Sequence, residues 1–285
     1  MSDDKKTLDL KSFQYLENGD VLYSALDTIK CTKTLDSGIY NITNSGYPNY
    51  AAVVTSANLS ESVKIHNFPD KERIDLILSK FMDKDIKEKV TAAGFLHKLG
   101  ILMYGAEGTG KSTIIKYFFS EYIKTHSAIV FYFNTYINIA KTWDFIMAVR
   151  QTQDNPIFII FEEFDSHLLE KGNESILKSF IDGNLSIDNC IFFATTNYID
   201  EIPDAIKNRP SRFKYSFKIE GIQDKNDVIS IVRKILSDTF TSEEISEFSK
   251  SLTGSSIDTI KQFCLDKIMN IETISNTKNK IGFGK

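Results

Sequence analysis

The sequence predicts an α/β fold with a parallel sheet, and two patterns in the chain support this. After Phe95, short and almost wholly apolar runs alternate with longer segments in which apolar residues recur every three or four positions. The apolar runs predict strands that are buried on both faces, and the longer segments predict amphipathic helices. Strands and helices that alternate along a chain indicate a parallel sheet with helices on both sides.

Five strands and three crossover helices are predicted in this region. The strands are 100–105, 128–134, 157–162, 190–196 and 215–220. The helices between them are at about 111–125, 138–151 and 172–182. These elements predict a five-stranded parallel sheet in a large αβα subdomain over residues 68–221.

The chain before this region has a different sequence pattern. Residues 1–67 contain short β-prone runs separated by turn residues, which predicts a small β-rich N-terminal module. Within it, the polar residues 1–10 are expected to be disordered. From Pro69 a helical pattern begins, and four apolar positions fall on one of its faces: Ile74, Ile77, Leu78 and Phe81.

The chain after this region contains only helical patterns. They begin after Gln223 and predict a small helical subdomain over residues 222–275. A polar tail at 276–285 follows it.

Composition and charge place the chain among ordinary globular proteins. Of its 285 residues, 42% are hydrophobic and 25% are charged, and the formal net charge is −4. This length is enough for one large domain or for two or three smaller ones. An acidic chain is not attracted as a whole to nucleic acid or to anionic membranes, although this does not exclude a local basic channel.

The cysteines and histidines form no metal or disulfide pattern. They are scattered, without CxxC spacing: Cys31, Cys190, Cys264, His66, His97, His126 and His167. We therefore expect no disulfide framework and no zinc site. The N-terminus lacks the apolar core of a signal peptide, and no window holds the roughly 18 apolar residues of a membrane span. These observations predict a cytoplasmic protein in a reducing compartment.

A glycine-rich stretch, GAEGTGKST, lies between the first predicted strand and the first crossover helix. It fits the pattern G-x-x-x-x-G-K-[ST]. The glycines let the backbone N–H groups surround phosphate oxygens, and the following helix adds its positive end. Lys111 can then reach the β- and γ-phosphates of a nucleotide, and the Ser112 hydroxyl can bind Mg²⁺. The predicted nucleotide-binding residues are Gly105, Ala106, Glu107, Gly108, Thr109, Gly110, Lys111, Ser112 and Thr113.

The run IFIIFEEFD places two adjacent glutamates at the end of a wholly apolar strand. A buried carboxylate is costly unless something pairs with it. In a phosphate-loop fold this strand ends beside the loop, so the partner is the Mg²⁺ of a bound nucleotide. We expect Glu162 to hold the metal, directly or through water, and Glu163 to polarise the water that attacks the γ-phosphate.

Together with these two motifs, further stretches resemble the AAA+ ATPases. GILMYGAEGTGKST resembles their phosphate loop, with Ala106 and Glu107 where two prolines are usual. ESILKSFIDGNLSIDNCIFFATTN resembles the segment that ends at sensor 1, here Asn197. IPDAIKNRPSRF resembles the segment that ends in the arginine fingers, here Arg209 and Arg212. The four motifs occur in the family's order, and the resemblance covers about 95–265.

The resemblance implies a P-loop NTPase αβα sandwich with strand order 5-1-4-3-2, a C-terminal helical lid and a ring, usually a hexamer. It implies that Asn197 contacts the γ-phosphate or the attacking water. Arg209 and Arg212 would reach the γ-phosphate of a neighbouring subunit. Ser256 and Ile257 occupy the place where the AAA clade closes its lid over adenine. The implied cofactors are ATP and Mg²⁺.

Three departures from the family pattern refine the resemblance. Most AAA+ proteins have Asp-Glu where this chain has Glu162 and Glu163, and one subfamily often has Glu-Asp. The chain therefore lies between these two patterns. That subfamily resembles the mitochondrial respiratory-complex assembly ATPase and has many phage relatives. The aromatic–apolar–Gly pore loop is missing. Tyr136 or Trp143 is a weak substitute, and we favour the simpler interpretation that both side chains pack within the fold. No arginine follows Gly254, where clamp loaders and replication initiators often carry one.

The resemblance implies an ATP hydrolase and leaves three hypotheses for its role. The first is a ring homo-oligomer that remodels or assembles a protein substrate recruited by residues 1–67, and the absent arginine after Gly254 favours it. The second is a nucleic-acid machine, such as a helicase loader or replication factor, which the acidic charge mildly disfavours. The third is a slow or non-hydrolysing scaffold, suggested by Glu162. We favour the first, without a membrane partner, in the cytosol of a bacterium or a phage-infected cell.

Overall fold

The computed structural model describes most of the chain beyond residue 67. The described ranges are 6–9, 14–15, 21–22, 28–31, 34–44, 52–57, 68, 70–133, 139–169, 172–236 and 239–269. Among the residues discussed above, Tyr136, His66, Pro69 and the tail at 276–285 lie outside these ranges.

A seven-stranded sheet forms the centre of the molecule. Its strands are β5 (Gly38–Asn44), β6 (Ala52–Ala57), β7 (Lys98–Tyr104), β8 (Ile129–Phe133), β9 (Ile157–Phe161), β10 (Cys190–Thr196) and β11 (Tyr215–Lys218). They lie in the order β11-β7-β10-β9-β8-β5-β6. The five predicted strands are β7 to β11, they run parallel, and their order is the expected 5-1-4-3-2.

Two strands from the predicted N-terminal module extend this sheet, so the predicted number of five strands is wrong. β5 pairs in parallel with β8, from Gly38 opposite Ile129 to Ile42 opposite Phe133. β6 then pairs antiparallel with β5. The pairing supplies hydrogen-bond partners to β8, which would otherwise be an edge strand. A local pattern cannot reveal a partner that lies so far away along the chain. The proposed domain boundaries themselves stay predictions.

The remaining N-terminal strands form two small antiparallel ladders. They are β1 (Lys6–Asp9) with β4 (Thr28–Cys31), and β2 (Gln14–Tyr15) with β3 (Val21–Leu22). The expectation of disorder over residues 1–10 therefore fails for Lys6–Asp9. The polar composition of that segment pointed to disorder, but its backbone groups find partners in β4.

The helices match the predicted segments to within a few residues. They are α1 (Lys71–Met82), α2 (Lys84–Ala92), α3 (Lys111–His126), α4 (Ile139–Thr152), α5 (Phe164–Leu169), α6 (Asn173–Asp182), α7 (Asp204–Lys207), α8 (Lys225–Leu236), α9 (Ser242–Leu252) and α10 (Ile257–Ile268). The unpredicted α2 has no buried residue, so it offers no apolar stripe to a periodicity argument. None of the described helices has the length and apolar character needed to span a bilayer.

Helices cover the sheet on both faces and bury two apolar cores. On one face, α1 and α3 pack on the sheet with residues such as Leu78 and Phe118. On the other face, α4 and α6 pack with residues such as Trp143 and Phe180. A third core joins α8, α9 and α10 into the predicted helical lid, with Val232 and Ile260 at its centre. The sheet is thereby held rigidly, with the glycine-rich loop at the carboxyl end of β7.

Candidate functional site

The glycine-rich loop runs from the end of β7 to the start of α3 and is held by its own contacts. The Thr109 hydroxyl donates a hydrogen bond to the Ala106 carbonyl across 2.8 Å. Gly110 has φ +97, and a Cβ there would lie 2.3 Å from Cδ1 of Ile257. Only glycine combines this backbone conformation with this close approach. The loop is therefore shaped both by the strand it leaves and by the lid above it.

Lys111 is the first residue of α3, and its ammonium group points back into the loop. Nζ donates to the carbonyl oxygens of Gly105 and Ala106, each at 2.8 Å, and to Oδ1 of Asn197 at 2.7 Å. Burial lowers the pKa of Lys111, and nearby carboxylates, with Glu107 the strongest, oppose that shift. Because its three acceptors are neutral, this cation has no full charge partner among them and is suited to bind a phosphate.

Glu162 directly follows the buried strand β9. Its Oε1 atom is buried and has no hydrogen-bond partner among the described residues. Burial first, and then the charge of Glu162, raise the pKa of Tyr132 on β8, so that its hydroxyl stays protonated. An oxygen atom left without a donor in a buried position fits a metal ligand.

Glu163 differs from its neighbour in exposure and in backbone conformation. Its side chain is exposed, and its φ is +48, in the left-handed region that non-glycine residues seldom adopt. The Glu163 N–H donates to Oγ1 of Thr195 across 3.3 Å, which helps to hold this turn. Strained backbone of this kind is concentrated at functional sites. The turn presents the Glu163 carboxylate to the open space between β9 and the loop.

The end of β10 brings Asn197 to the same place through a chain of hydrogen bonds. The Thr196 hydroxyl donates to Oδ1 of Asp165 across 2.5 Å, and it accepts from the Tyr198 N–H across 2.9 Å. Both Thr196 and Asp165 are buried, so these bonds are shielded from water. They fix the backbone on either side of Asn197, whose side chain then reaches Lys111.

These side chains line one cavity of about 190 Å³. Its walls are Glu107, Gly108, Gly110, Lys111, Ser112, Thr113, Glu162, Glu163, Thr195, Asn197 and Asp258. The structure thus brings together the predicted loop, both glutamates and Asn197. Sequence reasoning missed Thr195 and Asp258. Thr195 carries no motif of its own, whereas Asp258 directly follows the predicted pair Ser256 and Ile257.

The lid touches the loop through the start of α10. Ser256 caps this helix by accepting the Thr259 N–H across 3.1 Å, and the Asp258 N–H donates to the Gly108 carbonyl across 3.2 Å. Ile257 is buried between the lid core and Gly110. Ser256 and Ile257 therefore lie against the loop, as expected for the closing lid, while Asp258 reaches the cavity itself.

The geometry agrees with a comparison against protein families. Residues 101–220 match the family described as "ATPase family associated with various cellular activities (AAA)". The match covers less than half of the chain, and it supports an AAA+ ATPase.

The chain is also similar to the ATP-dependent zinc metalloprotease FtsH of Ureaplasma parvum serovar 3. The two share 25% identity over 190 residues, which is 61% of this chain and 26% of FtsH. The chain thus matches about a quarter of that protein's length. The similarity supports an AAA+ ATPase, and the finer assignment to the respiratory-complex assembly subfamily stays a prediction.

The two predicted finger arginines, Arg209 and Arg212, lie at the opposite end of β7 from the loop. A Cβ on Gly100 would lie 1.8 Å from the Arg212 carbonyl oxygen, so this backbone crosses the first half of β7. From Gly100 to Gly105 the strand rises about 16 Å, at roughly 3.3 Å per residue. Both arginines are therefore remote from the loop of their own chain.

The two arginines differ in how they are held. Nε of Arg209 lies 3.1 Å from Oδ2 of Asp182, and its side chain is 58% exposed. Arg212 is only 8% exposed, its Nε lies 3.7 Å from the same oxygen, and it donates to the Ala205 carbonyl. Of the two, Arg209 is therefore the one that a neighbouring molecule can contact, and Arg212 is anchored within its own chain.

Trp143, one weak substitute suggested for the pore aromatic, is a core residue of the sheet domain. It is 1% exposed and stacks on Phe180 with a ring centroid distance of 4.0 Å. Its indole N–H donates to the Leu185 carbonyl across 2.9 Å. The favoured interpretation that Trp143 packs within the fold is confirmed, because the apolar face of α4 turns this ring into the sheet core. Tyr136 lies outside the described residues.

Proposed function

We propose that this chain binds ATP with Mg²⁺ and hydrolyses it. One observation carries the proposal: Lys111, Glu162, Glu163 and Asn197 come from three separate strand ends and line a single cavity. That convergence is the arrangement required for phosphoryl transfer to water. A family match over residues 101–220 supports it independently.

The residues present suit a magnesium nucleotide. Ser112 and Glu162 line the same cavity, and Oε1 of Glu162 is buried without a hydrogen bond among the described residues. A hydroxyl and a carboxylate oxygen are ligands that Mg²⁺ prefers. In this role Ser112 and Glu162 hold the ion, which when bound neutralises charge on the phosphate oxygens.

The other side chains of the cavity then take separate roles. Lys111 and the N–H groups of the loop bind the β- and γ-phosphates, exchanging the carbonyl partners of Lys111 for phosphate oxygens. Asn197 orients the γ-phosphate or the attacking water. Glu163 draws a proton from that water, and its exposed, turned-out position leaves room for the water to bind.

The cavity implies that the lid moves during the cycle. At about 190 Å³ it is smaller than the roughly 300–1,000 Å³ of typical ligand sites. The phosphates fit beside Lys111, whereas the nucleoside needs space that the start of α10 now occupies. Ser256 and Ile257 lie at this boundary, and we propose that they contact the adenosine once the lid has opened to admit it.

We further propose that the protein works as a ring homo-oligomer, hexameric as is usual in the family, and acts on a protein substrate. Arg209 supports the ring, because it is exposed and too distant from its own loop to serve it. A head-to-tail contact that places Arg209 at a neighbour's γ-phosphate closes into a ring when it is repeated. The net charge of −4 favours a protein over a nucleic acid as the substrate.

The test of nucleotide binding is the Lys111→Ala variant, studied by calorimetry with MgATP. We expect binding to be lost, because Lys111 is the one cation among the described residues that line the cavity. Lys116→Ala is the matched control, since Lys116 is an exposed lysine on the same helix. Equal ATP affinity in the parent, Lys111→Ala and Lys116→Ala proteins would refute the site.

A further inference from the structure

The lid meets the glycine-rich loop through an apolar side chain that fills the space beside Gly110. Ile257 is 1% exposed and belongs to the apolar core of the lid. Its Cδ1 atom also lies against the loop, 2.3 Å from the position that a Cβ on Gly110 would take. Because packed interiors leave no gap at such a contact, the lid and the loop are in close contact at this point.

A backbone hydrogen bond lies beside this apolar contact. Asp258 is the second residue of α10, so its N–H has no acceptor within the helix. It donates instead to the Gly108 carbonyl of the loop across 3.2 Å. The Thr259 N–H, by contrast, is satisfied within the lid by the Ser256 hydroxyl, across 3.1 Å. The loop therefore completes the start of this helix, and moving the lid away leaves the Asp258 N–H to water.

The chain connects the sheet and the lid through a short segment. The Ile219 N–H donates to the Tyr104 carbonyl across 2.7 Å, which ties Ile219 to the sheet. The Ile222 N–H donates to the Ser255 carbonyl across 2.9 Å, which ties Ile222 to the lid. These two isoleucines belong to separate apolar cores. Residues 220–221 join them, so a change in their backbone angles can move the lid without breaking either core.

We propose that the Ile257 side chain and the Asp258 N–H form a latch that holds the empty site closed and that ATP binding must open. The inference rests on the proposed binding of ATP and concerns the regulation of that same site. In the closed state the cavity measures about 190 Å³, and the start of α10 takes the space that the nucleoside needs. A closed chain does not bind, so the latch lowers the apparent affinity for ATP in proportion to the fraction of chains that are open.

The test compares the parent with Ile257→Val, which deletes only Cδ1, the atom that lies against the loop. Binding of MgATP that carries a fluorescent label on the ribose is followed by stopped-flow fluorescence. We expect the association rate constant to rise about threefold to fivefold, because one buried methyl group shifts an equilibrium by roughly that factor. Ile257→Ala deletes more of the side chain and should raise the rate constant further.

Ile245→Val is the matched control. Ile245 is 2% exposed and lies on α9 in the same lid core, whereas the contact with the loop is made by α10. Its substitution deletes the same methyl group from the same core, so the lid loses comparable packing. The association rate constant should stay at the parent value, because the latch is intact. An equal increase in Ile257→Val and Ile245→Val would overturn the inference.

Amide hydrogen exchange, followed residue by residue by nuclear magnetic resonance, tests the hydrogen bond separately. A non-hydrolysable ATP analogue should speed the exchange of the Asp258 N–H, while the Thr259 N–H, bonded within the lid, exchanges as before. Parent-like association in Ile257→Val, or unchanged exchange at Asp258 in the nucleotide complex, would overturn the latch and leave the proposed function intact. If the parent itself does not bind the labelled MgATP, the proposed function fails and the inference fails with it.

Discussion

At the carboxyl end of β7 one lysine stands among carboxylates, whereas at the amino end one carboxylate stands among cations. The cavity is lined by Lys111 together with four acidic residues: Glu107, Glu162, Glu163 and Asp258. At the other end, Asp182 is shared by three cations, Lys98 at 3.6 Å, Arg209 at 3.1 Å and Arg212 at 3.7 Å. The excess charge has opposite sign at the two ends.

This contrast shows what each end lacks. A nucleoside triphosphate is strongly anionic. To bind it, an acidic cavity with one lysine needs further positive charge from a metal ion and from outside the chain. The amino end of β7 carries surplus positive charge, and part of it, on Arg209, is exposed. The two ends lie too far apart to meet within one copy, and the proposed ring would bring them together between copies. Three predictions probe this comparison.

The largest expected effect on ATP turnover comes from the arginines at the amino end of β7. Arg209→Ala should lower ATP turnover by about 10³-fold or more, as arginine fingers do elsewhere. Its melting temperature should stay near that of the parent, because the side chain is 58% exposed. Arg212→Ala should instead destabilise the fold by about 1.5–3 kcal/mol, since it removes the charged donor of the hydrogen bond to the Ala205 carbonyl. Turnover assays and thermal unfolding separate the two outcomes.

Mixing experiments decide whether Arg209 acts between copies. Arg209→Ala subunits mixed with Lys111→Ala subunits should regain part of the lost turnover. The first kind of subunit supplies an intact nucleotide cavity, and the second kind supplies an intact Arg209. Arg233→Ala, an exposed arginine on α8, is the control for loss of charge alone. A rate per subunit that does not depend on protein concentration, in a protein that stays monomeric with ATP, would contradict the ring.

The second effect on ATP turnover comes from the cavity at the carboxyl end of β7. Glu163→Gln should lower turnover by about 10²–10⁴-fold while ATP still binds, because an amide keeps the shape but cannot accept the proton. Glu121→Gln, an exposed glutamate on α3, should have no effect on turnover. Parent-like hydrolysis by Glu163→Gln would show that the roles of Glu162 and Glu163 are misassigned.

The smallest effect concerns the lid. Asp258→Asn should tighten binding of metal-free ATP by about two- to fivefold, since one unit charge at close range is worth roughly 1 kcal/mol in water. The gain should shrink when Mg²⁺ is present and neutralises the phosphates. Glu247→Gln, an exposed position on α9, controls for the change in net charge. Weaker binding of metal-free ATP by Asp258→Asn would mean that this carboxylate supports the site.

The parts of the site that sequence could predict are those encoded in short segments. The loop around Lys111 and the pair after β9 are local motifs whose chemistry follows from residue type and spacing. Even the order of β7 to β11 followed from resemblance in these segments. Asn197 was predicted in the same way.

The parts that sequence could not predict depend on packing between distant segments. Tyr132 shows no motif, and only the register of β8 and β9 brings it close enough for the charge of Glu162 to act on it. Asp258 enters the cavity because Ile257 packs against Gly110. Arg212 lies where the backbone approaches Gly100 of β7, which is a contact between distant segments of the chain.

The pairing of β5 with β8 has a consequence for synthesis on the ribosome. Chains are made at about 5–20 residues per second, so Gly38–Asn44 precedes Ile129–Phe133 by on the order of ten seconds. During that interval the only sheet neighbour already made for β5 is β6, with which it can form a hairpin. The edge that later receives β8 stays open to pairing with other nascent chains until the parallel ladder closes.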